Sequence, residues 1–236
     1  MNGILYGVGV GPGAPDLMTL RAVKVLQQVD VILAAASPRN EHSAALAIAR
    51  PHLRPEARVE RLDFPMTRDA RARECAWSAA AQTTRTILES GQSAAFLTVG
   101  DPLIYSTFGY LMRTLQAMAP HIKIEIVPGI TSYQAAAARA RAVLCEDDES
   151  LLMLPGIKSR EQLETALRQT ESAVILKAYR NLPAIAAAMA GSGRLDGCIF
   201  ASLVERPGEV IRAGIPDGEA APPYMSLILS RNGRKT

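Results

Sequence analysis

Three times in this chain a short apolar run ends in a glycine-bearing turn and hands over to helical spacing. GILYGVGV at 3–10 runs into Gly11-Pro12-Gly13, SAAFLTV at 93–99 into Gly100-Asp101-Pro102, and IKIEIV at 122–127 into Pro128-Gly129. Repeated strand–turn–helix units call for a largely parallel sheet with helices on its faces. Such sheets bind ligands outside the carboxyl ends of their strands, where these three turns lie. The fold class is α/β.

Between the turns, the reading places a helix from about Asp16 as N-cap, with Leu17, Leu20 and Val23 at helical spacing. VDVILAA at 29–35 reads as a buried strand and 43–50 as a short helix. The clearest helix spans Thr67 to Ser90, striped by Trp77, Ala81, Thr84 and Leu88 and stopped by Gly91. Ser106 opens another, carrying Phe108, Leu111, Met112, Leu115 and Met118. The chain pauses at Ala119-Pro120, so two domains are expected: 1–118 with a mostly parallel sheet, and 119–236. In the second, Ser159 and Gln162 stand in capping-box spacing. Its late strands (CIFASLV at 198–204, a run near 209–213, YMSLILS at 224–230) follow one another without helices, which predicts a mixed sheet.

Composition excludes several classes. Hydrophobic residues make up 48% of the 236, yet no apolar run approaches the roughly 18 residues of a membrane span. The opening MNGILYGVG lacks the basic-then-apolar pattern of a secretory leader. A net charge of +3, spread along the chain, gives no nucleic-acid patch. Cys75, Cys145 and Cys198 are isolated, and no metal-ligand spacing joins them to His42, His52 or His121. No disulfide scaffold or zinc site is expected, and a reducing cytoplasm fits. Of the 26 basic residues, 21 are arginine. Acidic ligands would explain that, and so would GC-rich coding sequence.

The turns leave readings open. Gly9-x-Gly11-x-x-Ala14 satisfies a loose dinucleotide pattern. Its acidic partner should end the second strand, whereas Asp30 begins it, and Pro12 removes a backbone donor from the loop. Asp101 could accept from a ligand amine or ribose hydroxyl, or from its own backbone. Thr131 and Ser132 could cap their own helix or meet a ligand carboxylate.

Taken together, GVGVGPGAPDLMTLRA, LTVGDPLIYS, VPGITSYQAAAAR and LPG resemble the ordered motifs of the tetrapyrrole methyltransferases, over nearly the whole chain. These use S-adenosylmethionine, with S-adenosylhomocysteine as product, to methylate precursors of cobalamin and sirohaem. PMTRD at 65–69, Trp77, YSTFGYL, LKAYRNL and YMSLIL are most similar to the branch acting at C20 of precorrin-2 or cobalt-factor II. Val99-Gly100-Asp101-Pro102 departs from the Gly-Gly-Asp-Pro of the uroporphyrinogen branch, and Ala14 stands where relatives commonly carry Asp.

The resemblance implies two α/β domains with a ligand cleft between them, a homodimer, and neither nucleic-acid nor membrane partners. It implies donor contacts at Val99, Gly100, Asp101, Ile104, Thr131, Ser132, Leu176, Val204 and Ser226, and tetrapyrrole contacts at Gly9, Pro12 and Gly13. Asp101 and Tyr105 become the candidates to take the proton from C20, with Arg139, Arg180 and Arg206 as candidate partners of substrate carboxylates. No protein metal site is implied. Three alternatives stand beside this: a uroporphyrinogen methyltransferase, a diphthine synthase, or a non-catalytic tetrapyrrole carrier.

Overall fold

The computed structural model describes residues 2–36, 43–156, 159–216 and 222–231. It divides into two compact units, one ending at Thr131 and the other beginning at Ser132.

The first unit carries a sheet of β1 (Leu5–Gly9), β2 (Val31–Ala36), β3 (Arg58–Asp63), β4 (Ala94–Thr98) and β5 (Ile124–Val127). Its order is β3-β2-β4-β1-β5, and every pairing is parallel. α1 (Leu20–Leu26) and α2 (Ala44–Ala49) pack on one face, α3 (Ala70–Glu89) and α4 (Phe108–Met118) on the other. Alternate strand residues feed the two cores: Leu5, Leu33 and Phe96 lie with Leu88, Leu111 and Leu115, while Val8, Ile32 and Leu97 lie with Val25, Leu26 and Ile48. A Cβ on Gly7 would overlap the Phe108 ring, so this glycine lets α4 seat its first aromatic under β1.

Three local readings change. Asp16 does not cap α1; Pro15–Leu17 form a single 3-10 turn, and Thr19 is the cap, accepting from the Ala22 amide at 3.1 Å. The longest helix begins after Asp69, whose carboxylate accepts from the Arg71 and Ala72 amides. β3, RVERLD, went unforeseen because it is an edge strand with only Leu62 buried. The domain division after Met118 also moves: β5 pairs in register with β1, Leu5 opposite Ile124, and so belongs to the first sheet.

In the second unit, α5 (Ser132–Ala140), α6 (Arg160–Arg168) and α7 (Leu182–Gly191) accompany a second sheet. Its strands are β6 (Leu151–Leu154), β7 (Ser172–Leu176), β8 (Ile199–Ser202), β9 (Val210–Ala213) and β10 (Ser226–Arg231). The order is β6-β7-β10-β8-β9, with only β6 and β7 parallel. This is the mixed sheet that late strands without intervening helices predict. Ser159 caps α6 from the Gln162 amide, as its spacing foretold. The acidic stretch after α5 is tied down by Arg231, which pairs with Glu146 at 3.3 Å and Glu149 at 2.9 Å. Among the described residues, no helix is long and apolar enough to cross a membrane.

Candidate functional site

At the carboxyl ends of β1, β4 and β5, three loops meet backbone to backbone. A Cβ on Gly9 would lie 2.5 Å from the Gly100 carbonyl oxygen and 2.6 Å from the Gly129 nitrogen, and one on Gly129 would overlap both partners. No side chain fits at either place, since real Cβ contacts do not approach 3 Å. The Gly100 amide donates to the Gly11 carbonyl at 2.8 Å, and the Val10 amide to Thr98 at 2.9 Å. At Gly100 the requirement is different. Its φ of +73° favours glycine, but a Cβ there would find nothing nearer than Thr131 Cα at 3.8 Å. A methyl group there would therefore meet Thr131 and Ile130 only at ordinary contact distance, and the backbone conformation alone asks for glycine.

Asp101 holds this arrangement with both carboxylate oxygens. Oδ1 accepts from the Leu103 amide at 2.8 Å, closing its own turn, and Oδ2 accepts from the Gly129 amide at 3.1 Å. The sequence offered a backbone bond and a ligand bond as alternatives for Asp101. The structure shows it bonded to backbone on two loops, and each oxygen retains a lone pair for another donor. Leu103, Ile104 and Tyr105 follow as an exposed strip, Tyr105 at φ +50°. Val99 is half-buried, while Pro12 and Thr131 are buried. Gly13 is partly exposed.

Asp30 is at the opposite end of the sheet. Its carboxylate accepts from the Ser93 amide at 2.9 Å where β2 and β4 begin, so it is far from the place a ribose-binding acid would occupy.

In the second unit, antiparallel pairing gathers the expected contacts at one sheet edge. Leu176 ends β7 opposite Leu227, and Ser226 begins β10 opposite Ser202, just before Val204. Ser226 is buried, and its Oγ accepts from the Tyr179 amide at 3.0 Å. The backbone around this edge is strained at side-chain-bearing residues: Lys177, Leu203 and Glu205 have φ of +56°, +49° and +58°. Burial, and then the neighbouring Arg180, pull the Lys177 ammonium below its ordinary pKa. Ser132 begins α5.

The three candidate arginines separate. Arg139 is committed within its own unit, donating to Glu209 at 2.9 and 2.7 Å. Arg180 donates to the Tyr179 hydroxyl at 2.8 Å and lines a concavity of about 390 Å³ with Leu154, Pro155 and Gly156. Burial lowers the pKa of Arg206. No cluster of metal-ligating side chains occurs among the described residues, which do not include His42. Of the residues at the first cluster, sequence reading gave Gly129 no partner. Its Pro-Gly dipeptide signals a turn, but the contact with Gly9 and Asp101 is long-range.

Comparison with known proteins adds to this geometry. Residues 4–212 match the family model for Tetrapyrrole (Corrin/Porphyrin) Methylases. A cobalt-precorrin-2 C(20)-methyltransferase of Salmonella typhimurium is 35% identical over 97% of this chain and 96% of its own. A precorrin-2 C(20)-methyltransferase of a Sinorhizobium species is 34% identical over 96% and 94%. The crystal structure of a Thermus thermophilus uroporphyrin-III C-methyltransferase, complexed with S-adenosylhomocysteine, superposes with a TM-score of 0.68. It is 20% identical and covers 98% of both chains, a likeness of fold.

Proposed function

This chain belongs to the tetrapyrrole (corrin/porphyrin) methylase family, and we propose that it transfers a methyl group from S-adenosylmethionine to C20 of precorrin-2 or cobalt-factor II, in cobalamin biosynthesis. The observation that carries this is the near end-to-end similarity to two C20-methyltransferases, at 35% and 34% identity. Those relatives differ in whether cobalt is in the ring. Cobalt here would be part of the substrate.

The residues present fit such a donor. Asp101 keeps acceptor capacity at the strand end, and Leu103 and Ile104 beside it offer exposed apolar side chains. Val99, Gly100, Asp101, Ile104, Thr131 and Ser132 would hold it, with Leu176, Val204 and Ser226 at its adenine end. The donor supplies a methyl group already activated on a sulfonium, and C20 of the reduced macrocycle is electron-rich. The chain's work is therefore positioning, which can contribute several kcal/mol when the reacting atoms are held in line. Mutually fixed glycine loops serve that purpose, because their backbone has little freedom to drift. Gly9, Pro12 and Gly13 would meet the tetrapyrrole, and Asp101 or Tyr105 would take the C20 proton. A cytoplasmic homodimer completes the proposal.

The test is an anaerobic assay with S-adenosylmethionine and precorrin-2, with and without inserted cobalt, read by mass and absorbance. One methyl increment at C20 in either arm is expected, and the productive arm names the substrate. Methylation of uroporphyrinogen III in a parallel reaction, or none in any, would overturn the reading.

A further inference from the structure

The far edge of the first sheet holds a second candidate ligand site. Along β3, Leu62 points to the α3–α4 core, which puts Val59 and Arg61 on the opposite face. That face is covered by α1 and α2, but α2 has only six residues and passes at once into a 3-10 turn, Arg50–His52. The helix layer stops short of β3. A concavity of about 600 Å³ results, lined by Leu46, Leu53 and Val59 and by Arg50, Arg54 and Arg61. β2 lies between β3 and β4, the nearest strand to end in a glycine loop, and the concavity shares no lining residue with those loops.

Among the described residues its lining contains three arginines and no carboxylate. Arg54 is the informative one. Its Nε is shielded from solvent and has no hydrogen-bond partner among the described residues. The nearest acid, Glu56, stands 3.6 Å away on a side chain 67% exposed, which is an ion-pair distance and too long for a hydrogen bond. The Arg54 side chain as a whole is 31% exposed, and a ligand oxyanion meeting that open part would give the guanidinium charge-assisted acceptors. Guanidinium forks match the planar oxygens of carboxylates and phosphates, and the leucine and valine side chains suit a small hydrocarbon body.

We propose that this concavity binds a compact organic anion, an apolar body bearing carboxylate or phosphate groups, at a site separate from methyl transfer. Isothermal titration of the full chain with isophthalate and with phenyl phosphate distinguishes the two oxyanions. Saturable binding of at least one, at one molecule per chain, is expected. Arg54→Ala should weaken it at least about tenfold, Arg54→Lys should restore only part, and the double change Arg50→Ala with Arg61→Ala, at exposed side chains, should weaken it likewise. Affinity for S-adenosylhomocysteine should stay constant in all variants. Failure of both probes to bind at about 10 mM, or equal binding by wild type and the folded variants, overturns the proposal.

Discussion

The two units build their candidate contacts from different materials. In the first, three strand ends are pressed together through bare backbone, with Gly9, Gly100 and Gly129 in mutual approach and Asp101 bridging two loops. In the second, the end of the sheet where β7, β8 and β10 meet presents side chains, and Lys177, Leu203 and Glu205 carry positive φ there. A backbone-built site tolerates almost no substitution at its contact points. A side-chain-built site can change its lining while the strands stay paired. The difference predicts a graded response to mutation.

The largest effect should come from Gly129→Ala, because the new methyl group meets backbone that has no rotamer to give. A loss of about 3 kcal/mol is expected, the upper end for an overpacked site, read by urea unfolding. A loss below roughly 1 kcal/mol would break the comparison, showing that the loops can part. Next comes Asp101→Ala, which strands the Leu103 and Gly129 amides. It should cost about 1–3 kcal/mol and weaken S-adenosylhomocysteine binding at least about tenfold. Asp101→Asn, which keeps one acceptor oxygen, should recover much of the stability and little of the donor affinity. Full donor affinity in a folded Asp101→Ala protein would remove this residue from the donor's site.

In the second unit, Ser226→Ala leaves the partly buried Tyr179 amide without its side-chain acceptor and should cost roughly 1 kcal/mol, with the fold intact by circular dichroism. A cost matching that of Gly129→Ala would erase the distinction between the units. The smallest effect is electrostatic. The Glu205 backbone amide, and after it Arg139, hold the Glu209 carboxyl below its ordinary value of 4.5. A depressed folded-state pKa stabilises the protein above pH 4.5 and loses that contribution as pH falls through the folded value. Glu209→Gln should therefore remove a small stabilisation at pH 7, where the carboxylate is ionised, and flatten the acid limb, so that the two proteins converge in stability at low pH. An unaltered acid limb would sever Glu209 from acid stability.

How much of this was legible follows the same division. Strand–turn–helix order in the first unit is local, and its glycines mark the turns, so the α/β class and the positions of the three glycine turns could be read directly. What could not be read is who touches whom. The amide that Asp101 holds belongs to a residue in another loop, Gly129, and β5 looks like a fresh start until its pairing with β1 is seen. β3 escaped notice because an edge strand buries one residue and shows no alternation worth the name. Thr19 displaced Asp16 as cap because a proline-led 3-10 turn consumes the segment around Asp16 first. In the second unit, Leu176, Val204 and Ser226 came from family resemblance. No local pattern announces them, since antiparallel pairing assembles their edge from distant segments.

The sheet order of the first unit has a consequence for how the chain is made. β1 is made before both of its neighbours, β4 and β5, with Leu5 opposite both Ala94 and Ile124. One edge of this central strand therefore waits for β4, and the other stays open until β5 has been made as well. Such long-range parallel pairing is slow to form and exposes apolar strand edges meanwhile. The glycine loops cannot meet until Gly129 has emerged, so a truncated nascent chain, however well its helices form, carries no assembled site.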